Sequence, residues 1–113
     1  MFKDDINRLQ HMLDAINDIL DFSKNKGRID LENNKMLSYS LIHLLEIIGE
    51  AANGISDEFK KKHSNIPWKA LIGMRNRLIH GYFDIDLDIV WKTVDEDIPD
   101  LKKEVEKVIK AIK

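Results

Sequence analysis

The chain has 113 residues, the length of one domain (1–113). With 43% apolar and 34% charged residues it has a globular composition, able to bury a core without covalent staples. Eighteen basic against twenty acidic residues give a net charge of −2, which excludes a generally basic nucleic-acid-coating protein but leaves room for a local cationic site. The absence of cysteine rules out disulfides, thiolate zinc sites and cysteine nucleophiles; no apolar run approaches the ~18 residues of a membrane span, and Met1-Phe2-Lys3-Asp4-Asp5 does not read as a leader, so a soluble cytoplasmic protein is expected.

Phe2, Ile6, Leu9, Leu13, Ile16 and Leu20 form a helical stripe widened by Met12 and Ile19. Lys24-Asn25-Lys26-Gly27 should end this first helix, with Gly27 as a left-handed terminator. Asp30 or Asn33 is expected to cap a second helix that runs to about Asn53-Gly54. That helix is apolar over most of its circumference (Leu37, Leu41, Leu44, Leu45, Ile48, Ala51, Ala52), which places it centrally. Ser56-Asp57-Glu58 opens a short charged helix reaching Lys62, and Ser64 or Asn65 is expected to cap a fourth, with Pro67 tolerated near its first turn and Gly81 ending it. Asp84 or Asp86 caps the last helix. Its stripe (Leu87, Trp91, Val94, Ile98, Leu101, Val105, Val108, Ile112) keeps steps of three and four across Pro99, so one long kinked helix is expected, two separate ones being the alternative. The fold class is therefore all-α, an antiparallel up-and-down bundle of four to five helices.

The fourth helix carries an anomaly. At ~100° per residue, Trp68, Leu71, Ile72, Leu78, Ile79 and Tyr82 share an arc about 120° wide, and Arg75 sits at its centre. A guanidinium cannot shed its charge, so it needs either a paired carboxylate or a ligand anion such as phosphate. His80 lies five residues on, about 140° round the helix, so it meets Arg75 only if the helix bends near Gly81 or a second copy packs against the first. Asn76 and His80, at i and i+4, share a face.

Arg75-Asn76-Arg77-Leu78-Ile79-His80-Gly81-Tyr82 has the form Arg-(polar)-x-x-x-His-x-Tyr, which resembles the signature of the HEPN superfamily, and within it the HepT toxins paired with MntA nucleotidyltransferase antitoxins. Ile47-Ile48-Gly49-Glu50-Ala51-Ala52, Ile66-Pro67-Trp68, Ile89-Val90-Trp91 and Asp97-Ile98-Pro99 extend the likeness over nearly the whole chain. The resemblance implies a HEPN-like bundle acting as a two-fold homodimer and a metal-independent endoribonuclease with no cofactor. Arg75 and His80 would be the catalytic pair, Asn76 the polar motif residue and Tyr82 the site of AMPylation by an MntA-like nucleotidyltransferase in a type VII toxin–antitoxin system. RNA is the implied substrate, with neither DNA nor membrane expected as a partner. The alternative is a non-catalytic HEPN subunit that binds nucleotide or serves as a scaffold for a nucleotidyltransferase; a structural dimer with an internal Arg75 ion pair is a third reading.

Glu50 is a candidate carboxylate to balance Arg75 before RNA arrives. Tyr39, His43, Glu46 and Glu50 form a polar stripe that reads as a solvated or interface face rather than a metal site, which would need a second such helix. His11 and His63 read as surface residues and Lys60-Lys61-Lys62 as a solvated face. Asp84, Asp86, Asp88 and Asp95-Glu96-Asp97 should repel RNA and offer a docking surface for a basic partner.

Overall fold

The computed structural model describes residues 2–80 and 85–112; for Ile79 and His80 it describes the backbone alone. All regular structure among these residues is helical: α1 (Lys3–Ser23), α2 (Arg28–Asn33), α3 (Lys35–Gly54), α4 (Asp57–Lys62), α5 (Trp68–His80), α6 (Leu87–Lys92), a π-helical turn (Thr93–Asp97) and α7 (Ile98–Ile112). The all-α bundle is as expected, with the short α2 as an additional helix. α3 packs against α1 on one side and α5 on the other, and α1 also packs against α7. Leu9, Met12, Ile16 and Ile19 of α1 meet Leu41, Leu45 and Ile48 of α3 in a core completed by Val94, Ile98, Leu101 and Val105. No helix among the described residues is long and apolar enough to cross a membrane.

Several helix ends differ from expectation for local reasons. Asn25, not Gly27, takes the left-handed conformation (φ 61°) after α1. Asparagine tolerates that region because its short polar side chain bonds locally. Gly27 is extended and precedes α2, where its N–H donates to Asp30 Oδ2 at 2.7 Å. Neither Asp30 nor Asn33 caps α3: the extended Asn34 does, its Oδ1 accepting from the Leu37 N–H at 3.1 Å. Ser56 caps α4 through the Phe59 N–H, as its position suggested. α5 begins at Trp68 and the Pro67 carbonyl accepts its first bond, from the Leu71 N–H, so Pro67 takes the capping position expected of Ser64 or Asn65. Asp86 caps α6, while Asp84 and Gly81 lie outside the described residues.

The last rod is continuous from Leu87 to Ile112, as its stripe required. It absorbs Pro99 through the preceding π turn, where the Ile98 N–H reaches the Thr93 carbonyl five residues back. A proline ring crowds the carbonyl four residues earlier, here Asp95, and a widened turn relieves that crowding.

Three tertiary ties had no sequence signal. Asp5, 7% exposed, accepts from both the backbone N–H (2.8 Å) and hydroxyl (2.7 Å) of Ser56, clamping the start of α1 to the end of α3 and making the two helices antiparallel. Arg28 pairs with Asp88, tying α2 to α6; that hydrogen bond holds the guanidinium even more firmly protonated than usual. His63 is not a plain surface residue: its ring lies 4.5 Å from that of Phe59, and its carbonyl accepts from the Trp68 indole N–H at 3.0 Å.

α3 and α5 come very close at Gly49. A Cβ placed there would overlap the Arg75 Cβ and lie 2.9 Å from the Leu71 carbonyl oxygen, so α3 and α5 touch backbone to backbone. Gly73, by contrast, has nothing within 4 Å of an added Cβ. Gly49→Ala should therefore lower stability by roughly 1–3 kcal/mol through overpacking, whereas Gly73→Ala should raise it by about 0.5–1 kcal/mol by restricting the unfolded chain. Urea unfolding followed by circular dichroism checks both signs.

Candidate functional site

Among the described side chains of α5, Trp68, Leu71, Met74 and Leu78 are buried, each 7–8% exposed. Met74 lies outside the expected arc, and its burial turns the helix so that Arg75 moves from the centre of the apolar stripe to its flank. The Arg75 side chain is 24% exposed there. The rotation has a simple cause: a permanent charge is kept at a water-accessible edge while its methylene stem covers apolar surface.

Glu50 follows Gly49 on α3 and is carried to the same edge. Its Oε2 accepts from Arg75 Nε at 2.8 Å and lies 2.7 Å from Nη2. Arg75 Nη1 donates to Asn76 Oδ1 at 3.0 Å. Among the described residues Arg75 thus donates two hydrogen bonds, from Nε to Glu50 and from Nη1 to Asn76, while Nη2 stands in ion-pair contact with the same Glu50 oxygen. The ion pair required by a structural reading of Arg75 therefore exists. It is not a deeply buried pair, however, because the Glu50 side chain is 62% exposed.

α5 remains helical through His80, so positions 75 and 80 stand about 140° apart around its axis. The His80 side chain and Tyr82 lie outside the described residues. Of the five candidate site residues, the fold brings together Arg75, Asn76 and Glu50.

The polar stripe of α3 borders a second feature. His43, Glu46 and Glu50 face Arg8 and His11 of α1 across a hollow of about 320 Å³ floored by Ile47 and Ala51. Glu50 stands between this hollow and Arg75. The participation of Arg8 and His11 was not foreseen; their spacing of three marks one face of α1, and nothing in the sequence says that this face meets α3. Among the described residues no group of three histidine, aspartate or glutamate side chains converges as a metal site would require. The half-buried Lys60 and the exposed Lys61 edge, with Lys69, a shallow groove beside Pro67 and Trp68, whereas Lys62 lies 4.8 Å from the centre of the Phe2 ring.

The family described as ribonuclease HepT-like matches residues 12–108. A relative from Methanocaldococcus jannaschii named "Putative RNase MJ1380" is 48% identical over 98 residues, covering 87% of this chain and 90% of the relative. A second protein of that organism, "Putative RNase MJ1216", is 43% identical, covering 92% of this chain and 86% of its own. "Probable ribonuclease HepT" of Thermococcus cleftensis is 42% identical, covering 90% of this chain and 93% of the relative. No solved structure matches the chain. With a family match over most of its length and relatives this similar end to end, the chain belongs to the ribonuclease HepT-like family.

Proposed function

We propose that this chain is a HepT-type toxin, a metal-independent endoribonuclease whose composite site combines Arg75 and His80 across a two-fold dimer. The observation that carries the reading is the placement of Arg75, in a chain of this family, at a partly exposed edge where, among the described residues, its one carboxylate partner is the exposed Glu50. Exposed ion pairs contribute ~0–1 kcal/mol, so an incoming phosphate can replace Glu50 and take the guanidinium in a bidentate grip. Positions 75 and 80 belong to different sides of α5, and pairing two α5 helices about a two-fold axis sets residue 75 of one copy beside residue 80 of the other.

The chemistry then follows from these side chains. One imidazole takes the proton from the RNA 2′-hydroxyl, and the 2′-oxygen forms a bond to phosphorus. The bond from phosphorus to the 5′-oxygen breaks, and the second imidazole returns a proton to that oxygen. Arg75 holds the phosphate oxygens as negative charge builds on them, and Asn76 holds the guanidinium plane. The products are a 2′,3′-cyclic phosphate and a 5′-hydroxyl.

Silencing is assigned to Tyr82. An MntA-like nucleotidyltransferase antitoxin joins its phenolic oxygen to the α-phosphorus of ATP, releasing pyrophosphate and the phenolic proton. The attached AMP brings bulk and negative charge to the motif and excludes the RNA phosphate.

Arg75→Ala and His80→Ala should each lower RNA cleavage by ~100-fold or more, abolish growth arrest and keep the helical circular dichroism signal, while chelators leave wild-type cleavage intact. Nucleotide binding without cleavage would favour the scaffold reading, and unfolding of Arg75→Ala alone the structural one. Tyr82→Phe should cleave RNA yet gain no AMP mass when mixed with the partner enzyme and ATP. Glu50→Gln, which keeps an acceptor but removes the competing charge, should lower KM for RNA several-fold with kcat little changed; a raised KM in steady-state assays would instead make Glu50 part of the RNA-binding arrangement.

A further inference from the structure

α5 has two working flanks. Leu71 and Arg75 face α3, whereas Ala70, Met74 and Arg77 border a groove of about 420 Å³ whose other bank is the π turn and the first half of α7. We infer that this groove is a docking site for a protein partner presenting a short amphipathic helix, apolar on one side and flanked by lysine or arginine. The inference does not depend on the ribonuclease reading, since it uses the opposite flank of α5 from Arg75.

The groove floor is apolar: Met74 and Leu101 close its bottom, and the exposed Ala70 leaves room above them. Its far bank carries Asp97, Asp100 and Glu104. These positions are spaced i, i+3 and i+7, a row about 10 Å long on one face of the rod. The opposite bank offers only one cation, Arg77.

Four carboxylates elsewhere have structural uses: Asp5 holds Ser56, Asp30 holds Gly27, Asp86 caps α6, and Asp88 pairs with Arg28. Among the described residues Asp97 and Asp100 accept no hydrogen bond, and Glu104 has only a 3.5 Å contact to Lys107. An unneutralised acidic row over an apolar floor repels nucleic-acid phosphates and complements a helix with basic side chains at the same spacing. Asp97 also ends the π turn that reshapes this bank, and such turns recur where a helix surface is adapted for function.

The test uses the intact chain and a labelled synthetic leucine–lysine amphipathic helix, followed by fluorescence anisotropy, with a leucine–glutamate helix as the charge-inverted probe. The basic helix should bind saturably at one site and the acidic helix should not bind. Combined Asp97→Asn, Asp100→Asn and Glu104→Gln should weaken binding about tenfold or more, whereas neutralising Asp14, Asp18 and Asp21 on α1 should change it less than about twofold. Ala70→Trp, which fills the groove, should abolish binding. Arg77→Glu should tighten it, a gain that partial unfolding cannot imitate. Equal weakening by the α1 substitutions or unchanged affinity in Ala70→Trp would overturn the assignment. So would self-association that Ala70→Trp abolishes, because a second copy would then be the occupant.

Discussion

The contact between α3 and α5 at Gly49 governs the candidate site. Two helices normally stay 8–10 Å apart because side chains separate them; a glycine facing a carbonyl and an arginine Cβ lets the axes come closer. Glu50 is the next residue, so the same contact delivers a carboxylate to Arg75 without further design. The interaction is set by backbone packing, which is rigid, while the ion pair it creates sits at a water edge, where an exchange of anions costs little. A site that must bind and release phosphate needs this combination of a fixed guanidinium and a replaceable counter-charge.

The charges of this protein divide by what they touch. Asp5, Arg28, Asp30, Asp86 and Asp88 close helix ends and join helices, each meeting a backbone N–H, a hydroxyl or an opposite charge. Arg75 is a second cation held in place by a carboxylate and left partly accessible. The row on the π turn and α7 has no such internal use. A net charge of −2 is therefore a poor guide to local potential: one flank of α5 carries the Arg75–Glu50 pair and the other borders an acidic groove. RNA and a basic protein segment would be sorted to opposite sides of the same helix.

Much of the helical framework was legible because apolar spacing reports directly on which residues a helix buries. The continuity of the last rod across Pro99 could be read this way, since the stripe Val94, Ile98, Leu101, Val105 never loses phase. The way the rod tolerates Pro99, through a π turn, could not, because spacing alone does not reveal how backbone hydrogen bonds rearrange. Caps were harder still. Asn34 is not distinguishable in the sequence from Asp30 and Asn33, because three residues with similar capping chemistry lie within five positions, and the short α2 consumes the first of them. The spacing marks Arg75 as a charge among apolar residues but not its depth, since Met74 competes for the inward position and wins by hydrophobicity.

The sequence by itself determined the all-α class, the span of the main helices and the identity of the residue whose charge had to be answered, because these follow from periodicity and from the chemistry of single side chains. It also carried a likeness to a family motif at Arg75, Asn76, His80 and Tyr82, while the match over residues 12–108 shows the family itself. Tertiary structure decided which carboxylate answers Arg75, that the pair is exposed, and that α5 and α7 leave a groove between them. Those outcomes depend on helix rotation and on the distance between axes, which are set by the summed packing of both faces of every helix and are encoded in no single segment.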